Sequence, residues 1–319
     1  MSHRIMKIVG GLSFVALVGL PFVANPATLR VGGLFFLTLT ALTGLHIVSG
    51  LTKVVSLCHA AFIGVGAYGA AIATLRYGLP PAVGLLLGLL AAGCCALILA
   101  WLTTRLDEHY LALGTLAAGE ILLNIFRGAT SVTGGANGLS GVPPLQLFGL
   151  LLDTPARYYP FCLTIGLAAL AFVWRFDRGG MGRSLRAMGD EGVLVEALGV
   201  SGSLLRAVGF TIGGSLAGLA GAASAYVDGF VGPESYGVGL SIAFLCFLVI
   251  GGLGRLGGVV LAAALATLGP EVFRGLLEWQ MVVVAALSLG LLVLRTARAR
   301  GSLASGFALP LARPDGSRV

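Results

Sequence analysis

The sequence predicts an all-α fold, a polytopic bundle of transmembrane helices interrupted by glycine. Of its 319 residues, 57% are hydrophobic and 10% are charged, whereas a soluble domain carries about 25% charged residues. The mean hydropathy, +0.98, is correspondingly high. The 50 glycines suit closely packed membrane helices, because small residues let two backbones approach. Too few polar side chains remain to cover a surface that faces water, so we interpret the chain as an integral membrane protein.

Ten apolar segments are candidate membrane spans, for which a helix needs about 20 residues. The third, fifth, eighth and ninth are short or interrupted by Gly, which allows half-spanning or re-entrant helices and gives eight to ten spans. The first follows Arg4 and Lys7 and resembles a signal peptide, but the later spans favour an uncleaved helix. The segments are residues 8–24, 31–49, 54–75, 80–104, 111–126, 158–174, 207–227, 238–252, 259–273 and 281–294.

The basic residues predict the orientation of these spans. With the N-terminus in the cytoplasm, the cytoplasmic segments hold 15 of the 20 Lys and Arg, and the outer segments hold 5. Cytoplasmic loops carry such an excess, and it explains the net charge of +7 without nucleic acid. We predict one transmembrane domain in the bilayer over residues 1–295, an outer loop at 127–157, a cytoplasmic segment at 175–206, a basic tail at 296–319, and both termini in the cytoplasm.

The cytoplasmic segment contains a charged island, residues 175–200, in an otherwise apolar chain. Ser184 is expected to cap a helix here, and Gly199 to end it in the left-handed conformation. Gly189 and Gly192 weaken the middle, so two short helices are an alternative to one. The expected apolar face holds Leu185, Met188, Val195 and Leu198.

The island allows two interpretations. One is a solvated loop that supplies positive charge to the cytoplasmic side. Such a loop has no use for Asp190, Glu191 and Glu196. A short amphipathic helix that docks into a partner's groove accounts for both signs of charge.

Six stretches of the chain carry a family resemblance. They are SLCHAAFIGVGAYGAA (56–71), YLALGTLAAGEILLNI (110–125), VTGGANGLSGVP (132–143), GRSLRAMGDEGVLVEALGV (182–200), LAGLAGAASAYVDGFVGPESYGVGLSI (216–242) and VIGGLGRLGGVVLAAALATLGPEV (249–272). In this order they resemble the permeases of branched-chain amino acid ABC transporters, the LIV type, and most of all the LivM branch. Three positions depart from the family pattern: Cys58 replaces a usual Gly, Ala243 replaces a common acidic residue, and Gly192 replaces a better helix former.

The resemblance implies an inner-membrane permease subunit without a nucleotide-binding motif, and the chain contains no G-x-x-x-x-G-K-[ST]. Two ABC ATPase subunits would use ATP, a second permease chain, homologous or identical, would complete the pore, and a periplasmic binding protein would deliver a branched-chain or related small amino acid. No cofactor, metal or catalytic residue is expected in this chain. The implied ATPase-coupling residues are Arg183, Arg186, Asp190, Glu191, Glu196 and Gly199.

Polar residues within or beside the spans are candidates for the translocation pathway or its outer mouth. We expect His59 at the start of a half-helix. Glu120 and Asn124 either line the interior or satisfy backbone groups, and the outer loop is either a pore mouth or an ordinary turn. The candidates are His59, Glu120, Asn124, Gly134, Gly135 and Asn137.

Two further residue types are assigned to packing. Gly214, Gly218 and Gly221 form a small-residue face for tight helix contact. His46 is expected to be a hydrogen-bonded packing residue.

Two other classes of function stay open. A stand-alone secondary transporter driven by ions needs several charges near mid-membrane, and only Glu120 clearly qualifies. An intramembrane enzyme needs a catalytic constellation, and none is visible. For an ABC permease, urea, amides and aromatic acids are alternative cargoes, because specificity largely resides in the binding protein.

Overall fold

The computed structural model describes residues 19, 21, 24–103, 108–147 and 149–272. The predicted tenth span, the tail and nearly all of the predicted first span lie outside these residues. The helices are α1 Pro26–Leu45, continued by a π-helical turn His46–Leu51, α2 His59–Leu75, α3 Pro81–Leu102, α4 Glu108–Gly128, α5 Thr130–Thr133, α6 Pro155–Asp177, α7 Gly180–Ala197, α8 Gly202–Asp228, α9 Val238–Gly251 and α10 Leu256–Val272.

The predicted all-α membrane bundle is confirmed. Within the described residues, six helices are long and apolar enough to cross a membrane: α1 with its π-helical turn, α3, α4, α6, α8, and α9 with the turn before it. Two shorter apolar helices, α2 and the first part of α10, bring the count to eight. Four two-residue strands pair outside the bundle: β1 Leu139–Ser140 with β4 Phe230–Val231, and β2 Gln146–Leu147 with β3 Leu150–Leu151.

The bundle has two ends, which we call the island face and the loop face. The island face carries α7, the end of the π-helical turn at Leu51 and the start of α8. The loop face carries residues 129–154 and the bend 229–237, which β1 and β4 join to each other.

Three glycines of helix α8 let two other helices, α2 and α3, approach it closely. A Cβ atom on Gly218 would overlap Ala92 of α3, and one on Gly214 would overlap Ala96 of the same helix. A Cβ atom on Gly221 would overlap the carbonyl oxygen of Ile63 in α2. The three glycines assigned to packing by sequence therefore lie where α8 meets α2 and α3.

We expect Gly221→Ala to destabilise the bundle. The added methyl meets the backbone of α2, which cannot move aside as a flexible side chain can, and such overpacking costs about 1–3 kcal/mol. Thermal unfolding in detergent measures the effect. Gly257→Ala in α10 is the matched control, because a Cβ atom there has no neighbour within 4 Å. Equal unfolding temperatures for the two variants would contradict the prediction.

Candidate functional site

The charged island folds as α7, which is broken at one residue. Glu191 has φ −145° and ψ 71°, so two short helices meet there at a kink, and a single continuous helix is wrong. The predicted cap at Ser184 is also wrong, because α7 begins at Gly180 after the N-cap Gly179. The close approach of Gly182 to the backbone of α6 explains the early start, since it lets the chain turn directly from α6 into α7.

The first half of α7 is seated on the bundle. Leu185 is fully buried, and its side chain lies against Gly209 of α8. Gly189 lies against the backbone that follows α1: a Cβ atom there would lie 2.5 Å from the carbonyl oxygen of Leu51 and 3.0 Å from that of Thr52. Burial of one leucine side chain contributes about 1.5–3 kcal/mol. This half of α7 is therefore fixed to both α1 and α8.

Three of the proposed coupling residues hold α7 in place from its polar side. Asp190 pairs with Lys53, with 2.6 Å between Oδ1 and Nζ, and Arg186 pairs with Asp177, with 2.5 Å between Nη2 and Oδ1. Arg183 donates to a backbone carbonyl of the preceding turn, at 3.3 Å. Exposed pairs of this kind contribute about 0–1 kcal/mol each. They orient α7, while Leu185 provides most of its attachment.

The second half of α7 presents apolar side chains to solvent. Val193 is 85% exposed, Leu194 60% and Leu198 76%, and we call these three residues the island patch. Val195 is buried on the opposite side, as predicted, but the prediction that Leu198 shares its face is wrong. The helix ends before Leu198, which is the C-cap and turns outward. The island patch is not predicted by the sequence pattern, because the expected apolar face requires one helical register across residue 191.

Charged residues border the island patch. Glu191 occupies the kink, and Glu196 is exposed in the second half of α7. Gly199 has φ +82°, which confirms the predicted left-handed end, and its N–H donates to the carbonyl of Glu196 at 3.0 Å. The patch thus combines an apolar centre with an acidic rim.

A second feature is a helix that starts inside the bundle. The chain leaves the π-helical turn in a non-helical conformation and becomes helical again at His59, whose Nε2 lies 2.8 Å from the carbonyl oxygen of Ala41 in the last third of α1. The N–H of Ala60 donates to Oγ of Ser241 in α9 at 2.9 Å. His59 therefore stands at the start of a half-helix, where the sequence placed it. The described contacts supply partners for backbone groups that lipid could not satisfy.

The predicted span 54–75 is wrong over its first five residues, which are not helical. The N–H of Leu57 donates to Oγ1 of Thr115 in α4 at 3.1 Å, and Oγ of Ser56 lies 3.4 Å from Sγ of Cys58. These contacts replace the helical hydrogen bonds that a full span would have.

Glu120 and Asn124 face outward from α4. Both side chains are exposed, and Nδ2 of Asn124 donates to the carbonyl oxygen of Glu120 at 2.8 Å. Their prediction as residues of the translocation pathway stays a prediction. They lie on a face that the described part of the chain leaves open, together with exposed Leu113 and Ile121.

The described part of the predicted outer loop packs on the loop face. Gly134, Gly135 and Gly138 have φ between +64° and +76°, a conformation that Gly adopts without strain. A Cβ atom on Gly138 would overlap the carbonyl oxygen of Val231, next to the β1–β4 pair. Asn137 is exposed at the tip. The loop and the bend 229–237 therefore form one surface, which the sequence did not predict.

Ion pairing strengthens that surface. Arg127 donates from Nε and Nη2 to the two carboxylate oxygens of Glu234, at 2.9 and 2.7 Å. Arg76, after α2, donates to the carbonyl oxygen of Ser131. The end of α4 is thereby tied to the bend 229–237, and the end of α2 is tied to the loop.

His46 differs from its prediction. The ring is fully buried in the π-helical turn, yet neither ring nitrogen has a hydrogen-bond partner among the described residues. The ring lies over Gly50, where a Cβ atom would come within 2.7 Å of Nδ1. The wider π-helical turn directs the imidazole onto backbone rather than onto a polar side chain, so the expected hydrogen bond is wrong.

Comparison with known proteins agrees with this architecture. A family model described as the branched-chain amino acid transport system permease component matches residues 28–295. The high-affinity branched-chain amino acid transport system permease protein LivM of Escherichia coli strain K12 is 30% identical over 88% of this chain and 72% of its own length. LivM of Salmonella typhimurium strain LT2 is 29% identical with the same coverage.

A shorter match involves another transport system. The autoinducer 2 import system permease protein LsrC of Escherichia coli strain K12 / DH10B is 35% identical over 57% of this chain and 51% of its own length. No solved structure matches the chain.

Proposed function

The chain belongs to the family of branched-chain amino acid transport system permease components, and from this membership we propose a specific role for it. It is a permease subunit of an ABC importer in the bacterial inner membrane, and it translocates branched-chain or related small amino acids that a periplasmic binding protein delivers. LivM, the relative with the broader coverage, supports this cargo. LsrC is named for a different cargo, so cargo differs between permeases similar to this chain. Urea, amides and aromatic acids therefore stay alternatives.

The island face lies in the cytoplasm in this proposal. Its supports are the cationic side chains of the island and Lys53 beside it, since cytoplasmic loops collect Lys and Arg. Both termini are then cytoplasmic, and the loop face meets the binding protein. Residues 1–295 act as one transmembrane domain, with residues 296–319 as a basic tail.

The single observation that carries the proposal is the division of α7. Its first half is fixed to α1 and α8 by Leu185 and Gly189, and its second half exposes the island patch to solvent. An exposed apolar cluster with a charged rim is typical of a site for a protein partner. The two ABC ATPase subunits are separate chains, and they bind the ATP. They contact this patch and move α7 as a rigid body. The chain itself needs no cofactor for this role.

A second permease chain, homologous or identical, covers the open face of α4. A carboxylate such as Glu120 is costly in contact with lipid and faces a bundle interior or a water-filled cavity in most membrane proteins. Glu120 and Asn124 are exposed in the single chain, so they line the pathway only if another subunit completes it.

Uptake into vesicles tests the proposal. Vesicles that contain this chain, the second permease and the two ATPases are expected to accumulate labelled leucine only when ATP is inside and the loaded binding protein is outside. A stand-alone secondary transporter would instead take up leucine with this chain alone and would stop when an ionophore collapses the ion gradient. Ionophore-sensitive uptake without ATP would therefore overturn the assignment.

A further inference from the structure

A cavity opens at the loop face between α1, α8, α9 and α10. Its volume is about 540 Å³, within the range of about 300–1,000 Å³ typical of small-molecule sites. One face of α1 lines it from Arg30 to Ala41, and one face of α8 lines it from residue 220 to Asp228. Ala41 lies eleven positions after Arg30, a distance of about 16 Å along the helix. The cavity therefore extends along nearly half of the candidate span Pro26–Leu51.

The mouth of the cavity carries two opposite charges. Arg30 and Asp228 are both exposed there, and among the described residues neither side chain forms an ion pair. Asp228 is the last residue of α8, where the negative end of the helix dipole disfavours a carboxylate. The carboxylate is therefore not placed for helix stability, and it interacts favourably with the charge of Arg30 at the same mouth.

The walls below the mouth are apolar. Leu34 is about half exposed to the cavity side of α1, and Leu240 and Phe244 of α9 face the same space. The cavity ends at Ala41, which is buried and whose carbonyl oxygen lies 2.8 Å from Nε2 of His59. The innermost lining residue of α1 is thus in direct contact with the start of the half-helix.

We propose that this cavity is a transient binding site for a zwitterionic amino acid with an aliphatic side chain. Arg30 binds the carboxylate, Asp228 binds the ammonium group, and the side chain lies against Leu34, Leu240 and Phe244. The inference rests on the proposed function, since it places the cargo of that importer at a defined position in this chain. Opposite charges above apolar walls match the two ends of such a molecule, whereas a neutral amide or urea has no need of either charge.

Neutralising each charge tests the site in the complete importer, reconstituted in vesicles with loaded binding protein. R30Q and D228N each reduce initial leucine uptake about tenfold or more, because each removes a charge-assisted contact to the substrate. The double variant R30Q/D228N stays at least as slow as either single variant. If Arg30 and Asp228 only neutralise each other, the double variant recovers uptake, and that result overturns the proposal. Uptake at the wild-type rate in both single variants also overturns it.

Two controls separate binding from folding. R157Q lies on the loop face but outside the cavity, in the exposed pair of Arg157 with Asp153, and it keeps wild-type uptake. R30K keeps the charge and transports faster than R30Q. Absence of ATP-driven uptake by the wild-type importer would overturn the proposed function. Normal uptake by the wild type and by the charge variants would overturn only the cavity proposal.

A labelling experiment remains decisive even if a charge variant folds poorly. With Cys94 and Cys95 replaced by Ser, Ser224→Cys on the cavity wall reacts with a water-soluble maleimide, and the loaded binding protein slows this reaction severalfold more than the empty one. Tyr77→Cys, exposed outside the cavity, reacts equally in both cases. If protection of Ser224→Cys requires phosphatidylethanolamine in the vesicles and not leucine, the cavity binds a lipid headgroup and the proposal is overturned. Equal labelling of Ser224→Cys with the loaded and the empty binding protein also overturns it.

Discussion

We expect the double substitution Val193→Asp, Leu194→Asp to separate this chain from its ATPase partners and to reduce leucine uptake at least about thirtyfold. Both side chains are exposed in the free chain, so the substitution removes no internal packing. In the complex they form the centre of the proposed interface, and loss of such a central apolar contact costs about 2 kcal/mol or more. Co-purification of the ATPases and uptake into vesicles measure the two effects.

Ala187→Asp is the matched control for the island patch. Ala187 is exposed in the first half of α7, away from the three residues of the patch. It adds one of the same charges to the same helix, and we expect ATPase binding and uptake close to wild type. ATPases that remain bound to the double variant with an unchanged yield would place the docking surface elsewhere on the island face.

The second large effect concerns the contact between the first half of α7 and the end of α1, not the exposed surface of α7. We expect Gly189→Leu to leave the ATPases bound and to reduce uptake about tenfold or more. Any Cβ atom at this position would lie 2.5 Å from the carbonyl oxygen of Leu51 and 2.8 Å from the carbonyl carbon of Thr52. Since these are backbone atoms, α7 must lift away from the end of α1, and such overpacking is destabilising. Movement of the ATPases would then no longer reach the membrane helices.

Comparison of ATP hydrolysis with uptake identifies this uncoupled state. Gly189→Leu should hydrolyse ATP without matching transport. Gly180→Leu, at the first residue of the same helix, should behave as wild type because a Cβ atom there has no neighbour within 4 Å. If Gly189→Leu loses ATPase binding as well as uptake, the contact of α7 with α1 is not separate from the surface that docks the ATPases.

Local sequence patterns predict the membrane spans well because a span requires one local property, a long apolar segment. Residues 54–58 belong to a predicted span but are not helical. Their non-helical course depends on Thr115 of α4, and the helix that follows them depends on Ser241 of α9. These partners are distant in the sequence, so hydropathy gives no sign of them.

The candidate site shows the same division. The left-handed end at Gly199 follows from a local preference and is predicted, whereas the kink at Glu191 was only one of two open possibilities. The exposure of Leu198 depends on where the helix ends, and the cavity between Arg30 and Asp228 depends on how α1 meets α8. Which residues face each other across helices is decided by glycine contacts between them, not by periodicity within one helix.

One consequence follows from the unbroken course of α8. It runs from Gly202, just after the island, to Asp228 at the cavity mouth, and its 27 residues measure about 40 Å. If a helix of that length tilts by about 5° as a rigid body, its far end moves by about 3.5 Å. In the proposed importer, a movement that the ATPases impose at the island face would then reach the cavity mouth at the loop face directly, with no relay of side chains between the two ends.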